Sequence, residues 1–177
     1  MSLPQTTGGY GLGPGEGEAL WFNGSLSVLK ATTESTDGRF AAMEILGPKG
    51  FGAPLHSHTN EDEFFLVMSG DVRVRHGDDI FEATAGSLVY GPRGVPHSFT
   101  VDSEEARLLL FFAPGGVEGF FREAGMAARA LEIPPSNEEF PNRETLMAIA
   151  AIPWPPGSGF LRRDTTACVA TERCWTK

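Results

Sequence analysis

The chain has 177 residues, 41% of them hydrophobic and 21% charged, and this balance predicts one compact globular domain, neither fibrous nor intrinsically disordered. The formal net charge of −9 and the lack of a long lysine and arginine cluster exclude nucleic acid and anionic membrane surfaces as expected partners. No apolar run approaches the ~20 residues that a membrane-spanning helix requires.

The two ends of the chain are predicted to lie outside the folded domain. Residues 1–20 are predicted to be a flexible segment, because residues 8–17 are rich in glycine. This segment also lacks the basic and apolar regions of a secretory signal, so a cytoplasmic location is expected. The two cysteines, Cys168 and Cys174, fall in a predicted tail over residues 157–177 and are interpreted as free thiols.

Residues 21–115 are predicted to form an all-β domain. Short apolar or alternating segments recur there, separated by glycine, proline, asparagine and aspartate, with no helix of a dozen residues between them. In chain order the predicted strands are 25–31, 40–46, 63–68, 72–76, 80–83, 87–90, 96–101 and 106–113. This pattern indicates an antiparallel sandwich or barrel and argues against a parallel sheet with crossover helices.

Residues 116–156 are predicted to add helices that pack on the outside or the mouth of the barrel. Apolar residues at helical spacing predict a helix over residues 117–131. Asn142 is a candidate N-cap for a second helix over residues 143–152, which a proline-rich stretch then ends.

A group of histidines and a glutamate carries the chemistry that the sequence suggests. His56 and His58 are separated by one residue, and in a strand such residues point to the same face, about 7 Å apart. Glu63 follows a polar stretch that can reverse the chain, so its carboxylate can return beside the two imidazoles. Imidazoles combined with a carboxylate suit one divalent transition metal ion (Fe, Mn, Ni, Co, Cu or Zn) better than Ca²⁺ or Mg²⁺, which prefer oxygen ligands.

Three further polar residues in this region are interpreted as facing solvent. His76 adjoins a turn glycine and is predicted to lie on the surface. Glu61 and Asp62 are predicted to be solvated loop charges.

Two sequence motifs make the chain recognisable. Residues 50–70 read Gly50-x5-His56-x-His58-x4-Glu63-x6-Gly70, and residues 86–97 read Gly86-x5-Pro92-x-Gly94-x2-His97. In this order, with fifteen residues between them, they resemble the two motifs of the cupin superfamily. The resemblance implies an antiparallel double-stranded β-helix, the jelly roll or cupin barrel, with a short C-terminal helical segment.

The resemblance also implies a ligand set. The histidines and glutamate of the first motif and the histidine of the second correspond to His56, His58, Glu63 and His97, so these four residues are expected to bind the metal ion. One departure exists, since an asparagine commonly follows the second-motif histidine by four residues and Val101 stands there. That position is not a ligand, so the expected ligand set is unchanged.

Within the superfamily, the chain resembles the quercetin 2,3-dioxygenase-like group, through its complete ligand set and through residues 111–116 with the helix that follows. This resemblance implies a metal-dependent enzyme whose partners are O₂ and an aromatic small molecule, a flavonol bound through its 3-hydroxyl. Glu63 would then be both ligand and general base, and the flavonol ring would be split with loss of carbon monoxide. The family resemblance also implies a homodimer.

Two other functions stay open at this point. One is an enzyme that acts at the same site on a β-diketone, a polyketide or another small enolisable compound. The other is a cupin that binds a small molecule without catalysis. Fold alone does not distinguish among these functions.

Overall fold

Two antiparallel sheets account for most of the structure. The computed structural model describes residues 8–150, and within this range it contains eleven strands and three short helices. The strands are β1 (Glu18–Phe22), β2 (Ser25–Ala31), β3 (Ala41–Pro48), β4 (Gly52–His56), β5 (Asp62–Ser69), β6 (Asp71–His76), β7 (Asp79–Thr84), β8 (Leu88–Gly91), β9 (His97–Val101), β10 (Glu105–Ala113) and β11 (Met126–Ala127). The helices are α1 (Thr33–Thr36), α2 (Glu118–Ala124) and α3 (Arg143–Ala150).

The strand order confirms the predicted all-β fold. The seven-stranded sheet has the order β11-β1-β2-β3-β10-β5-β8, and the four-stranded sheet has the order β4-β9-β6-β7. The eight predicted strands correspond to β2, β3 and β5 to β10, with ends that differ by at most two residues. The alternation of apolar and polar residues therefore predicted the positions of the strands correctly in the middle of the chain.

The core lies between the two sheets because side chains alternate along each strand. On β5, Glu63, Phe65 and Val67 are buried, and the residues between them face outward. The inward-facing apolar residues include Phe65, Val67, Leu108, Leu110 and Phe112 from one sheet and Val72, Val74, Phe99 and Val101 from the other. Glu63 shares its face with Phe65, and His97 shares its face with Phe99, so both polar side chains point into the barrel.

The turn between β5 and β6 depends on glycine. Gly70 has a φ of +79°, and a Cβ at this position would lie 2.4 Å from the carbonyl oxygen of Glu105. Both the backbone conformation and the close approach exclude other residues. The turn thus determines where β6 begins and which of its residues face the interior.

The structure contains three strands that the sequence analysis does not predict, and β11 among them lies in a predicted helix. β1 and β4 were not predicted, and β4 gives the clearer reason. Its residues are all half-buried without alternation, Pro54 interrupts it, and its register with β9 shifts between Ala53 and His56. An irregular edge strand of this kind lacks the period that identifies a strand in a sequence.

The helix predicted over residues 117–131 is wrong beyond residue 124. α2 ends at Ala124, Gly125 is extended, and Met126 and Ala127 pair with β1 as strand β11. The open edge of β1 offers hydrogen bonds to this segment, and they outweigh its helical spacing.

The second helix begins where the sequence predicts. The Asn142 side chain accepts a hydrogen bond from the Thr145 backbone N–H at 2.9 Å, which confirms Asn142 as the N-cap. Leu146 and Ala150 of α3 join the same core as the barrel, and so do the phenylalanines of α2. No helix in the described part of the chain is long and apolar enough to cross a membrane.

Two sets of predictions remain predictions. The division of the chain at residues 20, 115 and 156 is one of them. The other concerns Cys168 and Cys174, which lie outside the described residues.

Candidate metal centre

Strand pairing brings the four predicted ligands to one place. His56 ends β4 and His97 begins β9, and the two residues are directly paired across these strands. Glu63 reaches the same point from β5, in the opposite sheet, and His58 follows β4 by two residues. One ligand atom from each of His56, His58, Glu63 and His97 lies within 4.8 Å of the others.

One carboxylate oxygen forms the centre of this cluster. Glu63 Oε2 lies 2.8 Å from His97 Nε2 and 3.2 Å from His58 Nε2. The His56 ring centroid lies 4.4 Å from that of His97 and 5.0 Å from that of His58. The rings therefore converge from two strands and a loop on the carboxylate of a third strand.

Backbone carbonyls orient two of the three imidazoles. His56 Nδ1 lies 2.7 Å from the carbonyl oxygen of Pro54, and His97 Nδ1 lies 3.0 Å from that of Val95. In each case the acceptor belongs to the residue two positions earlier in the chain. With Nδ1–H donating to the carbonyl, the Nε2 atom of each ring is directed into the cluster, where a metal ligand would be needed.

The electrostatics of the cluster favour neutral His56 and charged Glu63. Desolvation, together with the neighbouring His58 and His97, lowers the pKa of His56 to about 3. Burial alone raises the pKa of Glu63, but hydrogen bonds from His58 and His97 outweigh it and bring the pKa to about 2. Desolvation opposes the charged form of His97, yet the contact with Glu63 raises the pKa of that imidazole overall.

Apolar side chains border the cluster. The Phe112 ring centroid lies 5.7 Å from that of His58, and the Phe65 centroid lies 6.0 Å from that of His97. His58, Glu63 and His97 are at most 3% exposed, whereas His56, on the edge strand β4, is half-buried. The least covered side of the cluster is therefore the side of β4.

Two residues interpreted as solvent-facing are placed beside this cluster instead. Glu61 has no exposed surface, and its Oε2 lies 3.8 Å from His58 Nδ1. The polar residues around Glu61 suggested that its side chain faces solvent. Packing of the loop against the barrel buries that side chain instead. Asp62, by contrast, faces outward and accepts hydrogen bonds from the Arg93 guanidinium, so only part of that interpretation was wrong.

His76 is the second such residue, and because it is half-buried its interpretation as a surface residue was only partly right. It pairs with His97 across β6 and β9, and its ring stacks on that of His97 with centroids 6.1 Å apart. The sequence does indicate this position, because His76 is separated from the buried Val72 and Val74 by even numbers of residues and therefore lies on the same face of β6. Proximity to a turn glycine was a weaker guide than this alternation.

The donor set of the cluster fits a divalent transition metal ion. His56 is held neutral and so retains a lone pair, and Glu63 is a buried anion that the His97 imidazole partly balances. A cation bound there would take the place of the proton between His97 and Glu63 and would supply the balancing charge. Three imidazoles with one carboxylate match Fe, Mn, Co, Ni, Cu or Zn, so the cluster could hold such an ion.

Comparisons with known proteins agree with this architecture. The family model described as Cupin domain matches residues 42–113. Quercetin 2,3-dioxygenase from Bacillus subtilis is 29% identical over 151 residues, which cover 85% of this chain and 45% of that protein. The chain spans about half the length of the curated relatives it matches.

Solved structures show the same barrel. An RmlC-like cupin from Shewanella frigidimarina has a TM-score of 0.53 at 19% identity, covering 63% of this chain and 96% of its own. Oxalate decarboxylase from Bacillus subtilis has a TM-score of 0.51 at 26% identity, covering 56% of this chain and 28% of its own. The jelly-roll architecture, the two motifs and the family match together show a cupin domain over residues 42–113, in a chain that is similar to quercetin 2,3-dioxygenase.

Proposed function

We propose that this cupin is a metal-dependent dioxygenase that cleaves a flavonol such as quercetin, or a related small enolisable compound, with O₂. The observation that carries the proposal is the placement of Glu63, a buried, ionised carboxylate with two imidazoles on one oxygen. The similarity to quercetin 2,3-dioxygenase over most of the chain supports the choice of substrate class.

His56, His58, Glu63 and His97 are the residues that would hold the ion, as the convergence of their donor atoms suggests. A divalent transition metal bound there supplies Lewis acidity toward a substrate hydroxyl. Two of these imidazoles already have their orientation set by the carbonyls of Pro54 and Val95. Little rearrangement of those two side chains is then needed for binding.

Glu63 is the proposed general base. The proton of the flavonol 3-hydroxyl passes to Glu63 Oε2, and the electron pair of the broken O–H bond remains on the substrate oxygen and spreads into the ring. Both atoms of O₂ then add to this electron-rich ring, which opens and releases one of its carbons as carbon monoxide. The proton on Glu63 returns to the product.

The apolar surroundings support this chemistry. Phe65 and Phe112 border the cluster and exclude water from the side that faces the core. A dry site strengthens the interaction of Glu63 with the substrate proton and protects the deprotonated substrate from reprotonation by solvent. The half-buried His56 leaves the β4 side for the approach of a planar substrate.

The assay that tests the proposal follows flavonol absorbance. Protein loaded anaerobically and separately with Fe²⁺, Mn²⁺, Co²⁺, Ni²⁺, Cu²⁺ or Zn²⁺ is mixed with quercetin and then exposed to air, with metal-free protein as the control for autoxidation. We expect loss of the flavonol band after exposure to air, faster than the control, with at least one metal. No such loss with any metal contradicts the proposal. Consumption of acetylacetone alone would favour a β-diketone substrate, and inertness toward both would favour a binding function.

We further propose that the protein forms a homodimer through the edge strands β7 and β8. These strands end the two sheets on neighbouring edges of the barrel. Within residues 8–150, five of the six exposed large apolar side chains lie on β5, β7 and β8, namely Met68, Ile80, Phe81, Leu88 and Tyr90. A patch of this kind on open strand edges is a typical surface for association.

A matched pair of substitutions tests the dimer. Leu88 and Leu131 are 62% and 58% exposed, but only Leu88 belongs to the group of five exposed apolar residues on β5, β7 and β8. Light scattering at micromolar concentration is expected to give twice the chain mass for the wild type and for Leu131→Asp, and the single-chain mass for Leu88→Asp. A monomeric wild type, or a dimeric Leu88→Asp variant, contradicts this surface.

A further inference from the structure

The buried carboxyl group of Glu61 has no role in the proposed reaction. Its side chain has no exposed surface, although it belongs to a loop of polar residues between β4 and β5. A carboxyl group is a costly side chain for such a place unless a nearby group makes use of it.

The group beside Glu61 is the imidazole of His58. Glu61 Oε2 lies 3.8 Å from His58 Nδ1, and Glu63 Oε2 lies 3.2 Å from His58 Nε2. The imidazole is therefore placed between two carboxyl groups, one at the centre of the cluster and one behind it. Both Glu61 and His58 are almost completely buried, so solvent screens their interaction weakly.

A cation near Glu61, the guanidinium of Arg93, is already paired with Asp62. The charge of Arg93 also acts on Glu61. The guanidinium of Arg93, however, donates to both carboxylate oxygens of Asp62 at 3.0 Å and is half exposed. Among the described residues, the basic side chain that the structure places beside the Glu61 carboxyl group is His58, at 3.8 Å.

The three imidazoles differ in the group that their Nδ1 atoms face. The Nδ1 atoms of His56 and His97 each face a backbone carbonyl, at 2.7 and 3.0 Å. The Nδ1 atom of His58 faces the carboxyl group of Glu61 instead. A carboxylate is a stronger acceptor than a carbonyl, and a stronger acceptor makes the opposite ring nitrogen a better electron donor.

We propose that Glu61 is a positioning residue, which accepts the Nδ1–H of His58 and thereby directs His58 Nε2 to the metal ion as the strongest imidazole donor of the site. This inference rests on the metal site proposed above. The separation of 3.8 Å exceeds a hydrogen bond. The two side chains must therefore draw together in the loaded protein, to the roughly 2.8 Å of a charge-assisted hydrogen bond.

Binding of Co²⁺ alone tests the inference, because its visible absorption reports both occupancy and ligand field. The dissociation constant, measured by chelator competition, is expected to rise about 10- to 100-fold in Glu61→Leu. A smaller rise is expected in Glu61→Gln, whose amide oxygen can still accept the hydrogen bond. The visible spectrum of bound Co²⁺ is expected to shift in both variants. Glu104→Gln, which removes the same charge from a side chain that is 91% exposed, is the matched control and is expected to bind like the wild type.

The melting temperature of the metal-free protein separates positioning from a structural role. If Glu61 serves the metal, removing its buried charge leaves the metal-free melting temperature unchanged or raised. If Glu61→Leu fails to fold, Glu61→Gln, which keeps the shape of the side chain, decides the question by the same measurements.

The outcomes distinguish this inference from the metal site itself. A wild type that does not bind Co²⁺ overturns both. A wild type that binds Co²⁺, together with Glu61 variants of unchanged dissociation constant and spectrum, overturns the role of Glu61 alone. The same holds if the metal-free Glu61→Gln protein melts well below the wild type.

Discussion

Replacing His97 with alanine is expected to abolish stoichiometric binding of a divalent metal ion, and replacing His56 is expected to do the same. The two imidazoles are paired across β4 and β9 and face Glu63 from the same sheet. Each substitution removes one of four donors, so the loss of affinity should exceed the roughly 10–100-fold that losing a hydrogen-bond partner of a ligand costs. Elemental analysis after metal loading and dialysis measures the stoichiometry directly.

His76 provides the matched control for this experiment. It stacks on His97 with an angle of 8° between the rings, yet it does not belong to the cluster of converging donor atoms. We expect His76→Ala to retain the stoichiometry of the wild type. Full metal content in both His56→Ala and His97→Ala would show that the ligand assignment is wrong.

Substitution of Glu63 by glutamine is expected to lower kcat by about 10²- to 10⁴-fold, the contribution typical of a positioned general base. Glutamine preserves the size of the side chain and one oxygen donor but cannot accept the substrate proton. The carboxylate it replaces is charged near neutral pH, because its pKa lies at about 2. The measurement is the rate of flavonol loss in air, expressed per bound metal ion determined on the same sample.

Normalising to bound metal separates the two roles proposed for Glu63. A variant that only binds less metal would show an unchanged rate per ion, and this result would contradict the role of Glu63 as base. Glu123→Gln on α2, where the side chain is exposed, removes the same charge far from the proposed chemistry and is expected to react at the wild-type rate.

The sequence predicted the barrel well where local pattern and tertiary packing agree. On β6 the alternation of Val72, Arg73, Val74 and Arg75 is reproduced by their burial. β4 could not be predicted in this way, because an edge strand that carries a proline and a register shift has no period to detect. The residue at which α2 ends could not be predicted either, because the following segment pairs with the open edge of β1, which is distant in sequence.

The candidate site could be anticipated for a different reason. The spacing of His56, His58, Glu63 and His97 is a motif, and the structure brings these four residues together. The neighbourhood of the four was not predictable in the same way. Glu61 belongs to a polar loop whose burial arises only when the barrel closes over it. Whether the four residues bind a metal ion, and which one, remains a prediction.

The position of Glu63 on the sheet opposite to His56 and His97 has a thermodynamic consequence. An ion held by these side chains cross-links the two halves of the sandwich, and the unfolded chain offers no comparable site. Its binding free energy then adds to the free energy of unfolding, by about 2.7 kcal/mol when the free ion is at 100 times its dissociation constant. Metal supply would in this way govern how much of the protein is folded, and chelation would act as a denaturant.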